Sequence, residues 1–294
     1  MPRPPARPPA LDGRVFRAET VVSRGLLTPD QLRSTAWRRV LPGVYADARL
    51  AADHRLTVAA VSLVAPPTAV FGGLTAAFLW GADGILGAAD PVEVVLPTGR
   101  RWSPRSPSVR VRTAPLGDGD VEVVGRFRVT GRTRTAVDLI RRGPVDEAVV
   151  VLDQLAQQRV VRLEEVRAAV AALPRVRGSA QARRAAALAD GRAGSPQETR
   201  VRLVLMRAGL PSPVAQLEVR HRGRFVARVD FGWPEHRLAL EYDGQWHAEP
   251  GQFARDRERL NRLTAAGWRV VFVTAADLHR PDLLAARVAE ALRG

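Results

Sequence analysis

At 294 residues the chain has room for about two domains, and its 46% hydrophobic and 26% charged content excludes an intrinsically disordered protein. It has no apolar run near the ~18 residues of a membrane span and no signal-peptide-like start, so no membrane partner is expected and a cytoplasmic location is. Cysteine is absent, which excludes a disulfide framework and a thiolate zinc site, while a net charge of +15 favours polyanionic partners, nucleic acid first.

All 45 Lys-plus-Arg positions are arginine, so no lysine is available for any catalytic role. Residues 195–294 hold 16 Arg against 12 Asp plus Glu, and the other 29 Arg face 18 acids, which places most of the excess in residues 1–194.

In chain order, residues 1–12 read as a disordered Pro/Arg tail. A winged-helix-like module is expected over 13–50. Val15, Phe16, Val21 and Val22 share one helix face, with Gly25 at the C-cap. Thr28-Pro29-Asp30-Gln31 then opens a second helix, with Thr at the N-cap, Pro at N1 and Gln at N3, ending near Trp37. Residues 40–45 make two short strands about a Pro42-Gly43 turn. If this module meets DNA, Arg33, Arg38 and Arg39 are the residues to contact phosphate.

Residues 51–174 read as one α/β domain, with helices over 54–64 and 69–80, strands over 92–96, 109–112 and 121–129, and a further helix opening at Thr130. On that helix Arg134 and Asp138 stand four apart, the spacing of a structural ion pair. Residues 175–194 read as a basic linker ending in an Ala-rich helix, with Arg183 and Arg184 in solvent.

From Ser195 the order predicted is αβββαβα. Ser195-Pro196-Gln197-Glu198 is a helix start with Ser at the N-cap and Glu at N3. Strands follow over 214–220, 225–231 and 237–243, then a helix over 252–266 closed by Gly267, a strand over 269–273 and a last helix near 283–292. Side chains alternate faces along a strand. Val229, Phe231, Leu238, Leu240 and Tyr242 therefore share an apolar face, while Arg228, Asp230, Ala239, Glu241 and Asp243 share the other. A turn at 233–236 puts Asp230 opposite Ala239 and diagonal to Glu241, about 7–8 Å apart at Cα. Two carboxylates at that range can converge on one divalent ion, and oxygen-only ligands suit Mg²⁺ or Mn²⁺ rather than zinc.

These segments resemble known families. The 13–50 outline with Gly43-Val44-Tyr45, and Val129-Thr130 followed by Arg134-Thr135 and Asp138-Leu139, resemble the N-terminal region of AbiEi-like antitoxins. Asp230, then Glu241-Tyr242-Asp243-Gly244 with Trp246-His247, together with Ser195-Pro196-x-Glu198 and Asp256-Arg257-Glu258-Arg259 before Gly267-Trp268, resemble the Vsr-like endonuclease domain of the PD-(D/E)xK superfamily. The second resemblance covers essentially all of 195–294 and implies a restriction-endonuclease-like fold. It implies Asp230 and Glu241 as metal ligands and Glu198 in the same pocket, with Asp243 where the superfamily has lysine. His247 is the residue left to exchange protons with water near neutrality. Arg228, on the acidic face, is expected on nucleic-acid phosphate.

Some of these residues carry a second reading. Glu198 fits a capping box as well as a site, His247 could be a surface histidine, and Asp256 among arginines suits an ion pair better than a ligand role. Trp233, Trp246 and Trp268 suit packing better than base stacking. Two functions follow from the resemblances. One is a Mg²⁺-dependent DNA endonuclease, in a defence or toxin-antitoxin context. The other is an AbiEi-like antitoxin or transcriptional regulator with a degenerate nuclease domain and a cognate toxin or defence-system protein as partner.

Overall fold

The structure is a computed structural model that describes residues 7–87, 89–243 and 252–294. It is a mixed α/β chain dividing into two compact units, Met1–Leu139 and Ile140–Gly294. The division falls after Leu139, not in the 175–194 stretch. No helix among the described residues is long and apolar enough to cross a membrane.

Residues 7–12 of the predicted disordered tail pack on the first unit. Arg7 donates to Asp47 at 2.7 Å and Leu11 is buried beside Phe16, Val21 and Trp37. A fully buried carboxylate needs cationic donors, and the tail supplies one. Strand β1 (Val15–Arg17) leads into α1 (Ala18–Ser23), and the hairpin β2 (Trp37–Leu41) and β3 (Val44–Asp47) completes a sheet of order β1-β3-β2. The predicted second helix is only one 3-10 turn, Gln31–Arg33. Its capping box does form, with Thr28 N–H on Gln31 Oε1 at 2.8 Å and Gln31 N–H on Thr28 Oγ1 at 3.2 Å. Strand pairing claims Trp37 too soon for a helix to propagate.

Helix α2 (His54–Val64) is as predicted; the predicted 69–80 helix is instead β4 (Val70–Phe71) followed by α3 (Gly73–Leu79). Strands β5 (Val92–Pro97), β6 (Val109–Ala114), β7 (Val121–Val124) and β8 (Phe127–Thr130) make a five-stranded sheet of order β6-β5-β4-β8-β7. On α4 (Arg132–Ile140) the expected pair forms, Arg134 to Asp138 at 3.1 Å, and Arg134 also reaches Asp120 at 2.7 Å.

The second unit opens with α5 (Val145–Gln157), α6 (Leu163–Ala172) and α7 (Ser179–Leu188), which pack on one another and on α8 (Pro196–Arg207). Residues 175–194 are thus not a linker. Ala182, Ala185, Ala186, Ala189 and Ala193 are buried, and the guanidinium of Arg183 donates to the Leu173 carbonyl at the end of α6. Asp153, fully buried on α5, accepts from the backbone of Asp190 and Gly191, from Thr199 Oγ1 at 3.0 Å and from Arg202 at 2.8 Å. Every acceptor site of that carboxylate is satisfied, which locks the 190–191 turn to α5 and α8.

After α8 come β9 (Val214–His221), β10 (Arg224–Trp233), β11 (Leu238–Asp243), α9 (Gln252–Ala265), β12 (Arg269–Thr274), α10 (Ala275–Leu278) and α11 (Pro281–Arg293). The predicted order holds, with one short extra helix. The sheet order is β12-β11-β10-β9, with β11 and β12 parallel across the α9 crossover and the other pairs antiparallel. Phe231, Trp233, Leu238 and Leu240 pack on Val201 and Leu205 of α8 and on Leu284 and Val288 of α11. A second cluster forms under α9, where Val219, Val229 and Ala239 pack with Leu263 and Ala266: Ala239 comes from the face expected to be acidic, and Val229, expected to pack with Phe231, belongs to this cluster instead.

Candidate functional site

The carboxylates gather where the ladder between β10 and β11 stops. Phe231 pairs with Leu240, Gly232 with Ala239 and Trp233 with Leu238, so Ala239 faces Gly232, not Asp230 as predicted. The connection, residues 234–237, falls one residue later than the predicted turn at 233–236, and consists of the 3-10 turn Pro234–His236 and a left-handed Arg237 (φ 46°). One step beyond the last pair, the half-buried Asp230 takes over with its side chain. Its Oδ2 accepts the Tyr242 N–H at 2.8 Å.

On the other side of β10 stands Gln216. It lies across from Asp230, between the pairs Ala215 with Phe231 and Leu217 with Val229. Its backbone is left-handed (φ 51°) inside a strand, a conformation that costs a non-glycine residue roughly 1–3 kcal/mol. In return its amide donates to Glu198 Oε2 at 2.8 Å and, over a longer 3.4 Å, to Asp230 Oδ1. One amide nitrogen therefore touches both carboxylates.

Glu198 reaches this point from the first turn of α8. Ser195 caps the helix by accepting the Glu198 N–H at 3.2 Å, but the Glu198 carboxylate accepts the Gly194 N–H at 2.7 Å and turns its remaining capacity to Gln216. The expected capping box is therefore only half formed: Ser195 caps the helix, but the Glu198 carboxylate bonds to Gly194, one residue before the N-cap. Its position at the helix N-terminus suits its negative charge.

Burial holds the carboxyl of Glu198 above its ordinary pKa, and the charge of Asp230 raises it further. Donors from Gly194, Ser195 and Gln216 oppose the shift without cancelling it. Burial likewise pushes Asp230 up, against the Tyr242 N–H, Gln216 and the nearby charge of Arg259. Six acidic side chains are buried among the described residues. Asp47, Glu93, Asp138, Asp153 and Glu241 each carry an arginine; Glu198 carries no ion pair among the described residues.

Glu241, 7% exposed, is held differently. Arg259 of α9 donates to Glu241 Oε1 at 2.7 Å, makes a second bond to Oε2 and donates to the Arg228 carbonyl at 3.1 Å. Asp243 is exposed at the end of β11 and takes part in none of these hydrogen bonds. The ready-formed convergence is therefore Glu198 with Asp230. Among the described residues no group of three or more His, Asp or Glu is placed to hold a metal ion. The donor set is nonetheless all oxygen, and neither raised carboxyl has an ion pair among the described residues, which suits Mg²⁺ or Mn²⁺.

The other predicted residues fare unequally. Arg228 pairs with Glu218 at 3.0 Å. Arg33 is exposed and paired with Asp30, and Arg39 is exposed on β2. Arg38 is spent on the carbonyls of Ala48 and Leu50, both at 3.0 Å, so it cannot reach a phosphate as expected without giving up two hydrogen bonds. Trp233 is buried with its indole N–H on the Pro211 carbonyl, and Trp268 packs under α9, as packing residues should. His247 and Trp246 lie outside the described residues, as does the Asp256 side chain. Sequence reasoning missed Gln216 and Arg259.

The chain is thus a mixed α/β protein with an under-compensated carboxylate pair where the β10–β11 ladder of its C-terminal sheet ends. No family model matches it. Over 172 residues it is 38% identical to the uncharacterized proteins MT2308 and Rv2248 from two strains of Mycobacterium tuberculosis. Each match takes in 56% of this chain and 64% of the relative, so the chain spans less than two thirds of these relatives' length. Among solved structures it is similar to the Rv2827c protein of M. tuberculosis, with a TM-score of 0.42 and 16% identity over 68% of this chain and 78% of that one.

Proposed function

We propose that residues 195–294 form a Vsr-like domain of the PD-(D/E)xK type with a restriction-endonuclease-like fold, and that the protein is a Mg²⁺- or Mn²⁺-dependent DNA endonuclease. The observation that carries this reading is the meeting of Glu198 and Asp230 on the strained Gln216, both with raised carboxyl pKa values. Perturbed acids clustered with backbone strain mark functional sites more often than structural ones. A divalent ion would be held by Asp230 and Glu198, joined by Glu241 once that carboxylate gives up Arg259, and would supply an acidified water and charge stabilisation at the phosphodiester.

The chain's own residues do the rest. Gln216 fixes the spacing of two like charges. Arg259 brings a permanent cation to the pocket from which the superfamily lysine is missing; it can hold a phosphate but cannot take a proton at neutral pH. Proton uptake is assigned to His247, and Asp243 stands at the mouth of the site.

The second reading is an AbiEi-like antitoxin or regulator, with β2 and β3 as a wing on DNA, a degenerate nuclease domain and a toxin or defence-system partner. The two bonds of Arg259 to Glu241 favour it, because an ion must displace them to recruit that carboxylate.

The test is incubation of the full chain with supercoiled plasmid and with single-stranded DNA in Mg²⁺ or Mn²⁺, beside Asp230→Ala and Glu241→Ala. Cleavage lost in both variants is expected. Cleavage unchanged in both would overturn the enzyme, and no cleavage with salt-sensitive binding to one duplex site would replace it with the regulator.

A further inference from the structure

A long run of arginine without acid lies outside both predicted DNA-contacting segments. From Val94 to Gly117 the chain contains Arg100, Arg101, Arg105, Arg110 and Arg112 and no Asp or Glu. Arg112 turns inward to Glu93, with its Nε 3.4 Å from the carboxylate. The other four are exposed, and among the described residues none of them has an ion pair. Elsewhere in the same unit clustered arginines are offset: Arg33 by Asp30, Arg49 by Asp12 and Asp47, Arg134 by Asp120 and Asp138.

Their setting is a surface, not a scatter. The loop between β5 and β6 carries Arg100, Arg101 and Arg105, and Arg110 lies on β6, the outermost strand of the five-stranded sheet. Arg100, Arg101, Trp102, Ser103 and Thr113 line an open cleft of about 490 Å³. Trp102 packs partly on the core beneath, which gives the loop a fixed floor. An edge strand also offers unpaired backbone N–H groups, which serve as phosphate donors. Charged edges protect sheets from pairing with one another, but that needs one or two charges on the strand, not three more on the adjoining loop.

We propose that this cleft and the β6 edge bind the phosphate backbone of nucleic acid without reading its sequence. The inference rests on the nucleic-acid reading above and assigns that contact to Arg100, Arg101, Arg105 and Arg110 in place of Arg38, whose guanidinium is committed to backbone carbonyls.

The test is fluorescence anisotropy of the full chain in EDTA with a labelled duplex of arbitrary sequence, at salt from about 50 to 200 mM. Each lost phosphate contact lowers the log–log salt slope by about 0.9. Replacing all four with Gln should therefore remove up to about 3.6 from the slope, and with it on the order of a 10²-fold fall in affinity across that salt range. The same four changed to Lys should bind as the wild type does, with unchanged melting in both variants. Wild-type slope and affinity in the Gln variant would overturn this surface and leave the endonuclease reading intact. Loss in the Lys variant with unchanged melting would overturn the charge argument. A wild-type chain that binds no duplex at any salt would overturn both.

Discussion

Asp230→Asn is nearly isosteric, removes one negative charge from the carboxylate pair and keeps an acceptor for the Tyr242 N–H. In the native protein burial raises the Asp230 carboxyl, and burial with the charge of Asp230 raises Glu198. The native state thus holds these two protons more tightly than the unfolded chain does. Stability from both groups is complete below the ordinary carboxylate range and is lost as pH rises through the raised native values. Asn at 230 relieves its own desolvation and the repulsion on Glu198. A gain of about 0.5–2 kcal/mol near neutral pH is therefore expected, the range found when functional strain is relieved. In a unit the length of Ile140–Gly294 each kcal/mol is worth about 2–4 °C.

The assay is thermal unfolding in EDTA from acidic to mildly alkaline pH. The variant should melt above the wild type, with a gap that opens as pH rises and closes in acid. Saturation with Mg²⁺ at about ten times its Kd should then raise the wild type by about 1.4 kcal/mol and the variant by less. A variant melting below the wild type at neutral pH, or a gap independent of pH, would refute the reasoning.

Two further outcomes are expected. Arg259→Ala removes both guanidinium bonds from a carboxylate that is 7% exposed, and should cost about 2–3 kcal/mol in urea unfolding, below the usual buried-pair penalty because Arg259 is a third exposed. Adding Glu241→Gln should recover at least half of that loss, and strictly additive losses would show the pair to be uncoupled. Gly178→Ala places a Cβ 2.4 Å from the Arg141 carbonyl oxygen at φ 83°, and should cost at least about 2 kcal/mol, read as a fall in melting temperature. A neutral result would mean that the 175–194 segment does not pack as described.

What the sequence makes legible is what local chemistry specifies. The Ser195 cap and Pro196 announce α8, and strand alternation places Phe231 and Leu240 in the core. Capping chemistry also misleads: Thr28 and Gln31 close their box as expected, yet Trp37 joins the sheet before a helix can grow. The β10–β11 register differs from the expectation because the connection falls one residue later, where a 3-10 turn ends in the left-handed Arg237 with no glycine to flag it. Gln216 was invisible for the same reason. Arg259 was hidden by distance, since only the α9 crossover brings it over Glu241.

The contrast among buried acids locates the site better than any motif does. A chain with 45 arginines has ample means to neutralise an interior carboxylate, and it does so at Asp138 with a guanidinium and at Asp47 and Asp153 with guanidinium and backbone donors together. At Glu198 and Asp230 it supplies one backbone N–H to each and a single neutral amide between the two, with no guanidinium bond to either among the described residues, and it bends β9 into a left-handed residue to deliver that amide. Three unfavourable features, namely like charge, burial and strain, meet at one point although none is needed to close the sheet. Stability alone would have replaced Asp230 with a neutral residue. Retaining the pair is understandable if its charge is offset by something that comes and goes, and an exchangeable divalent cation has that property while a resident arginine does not.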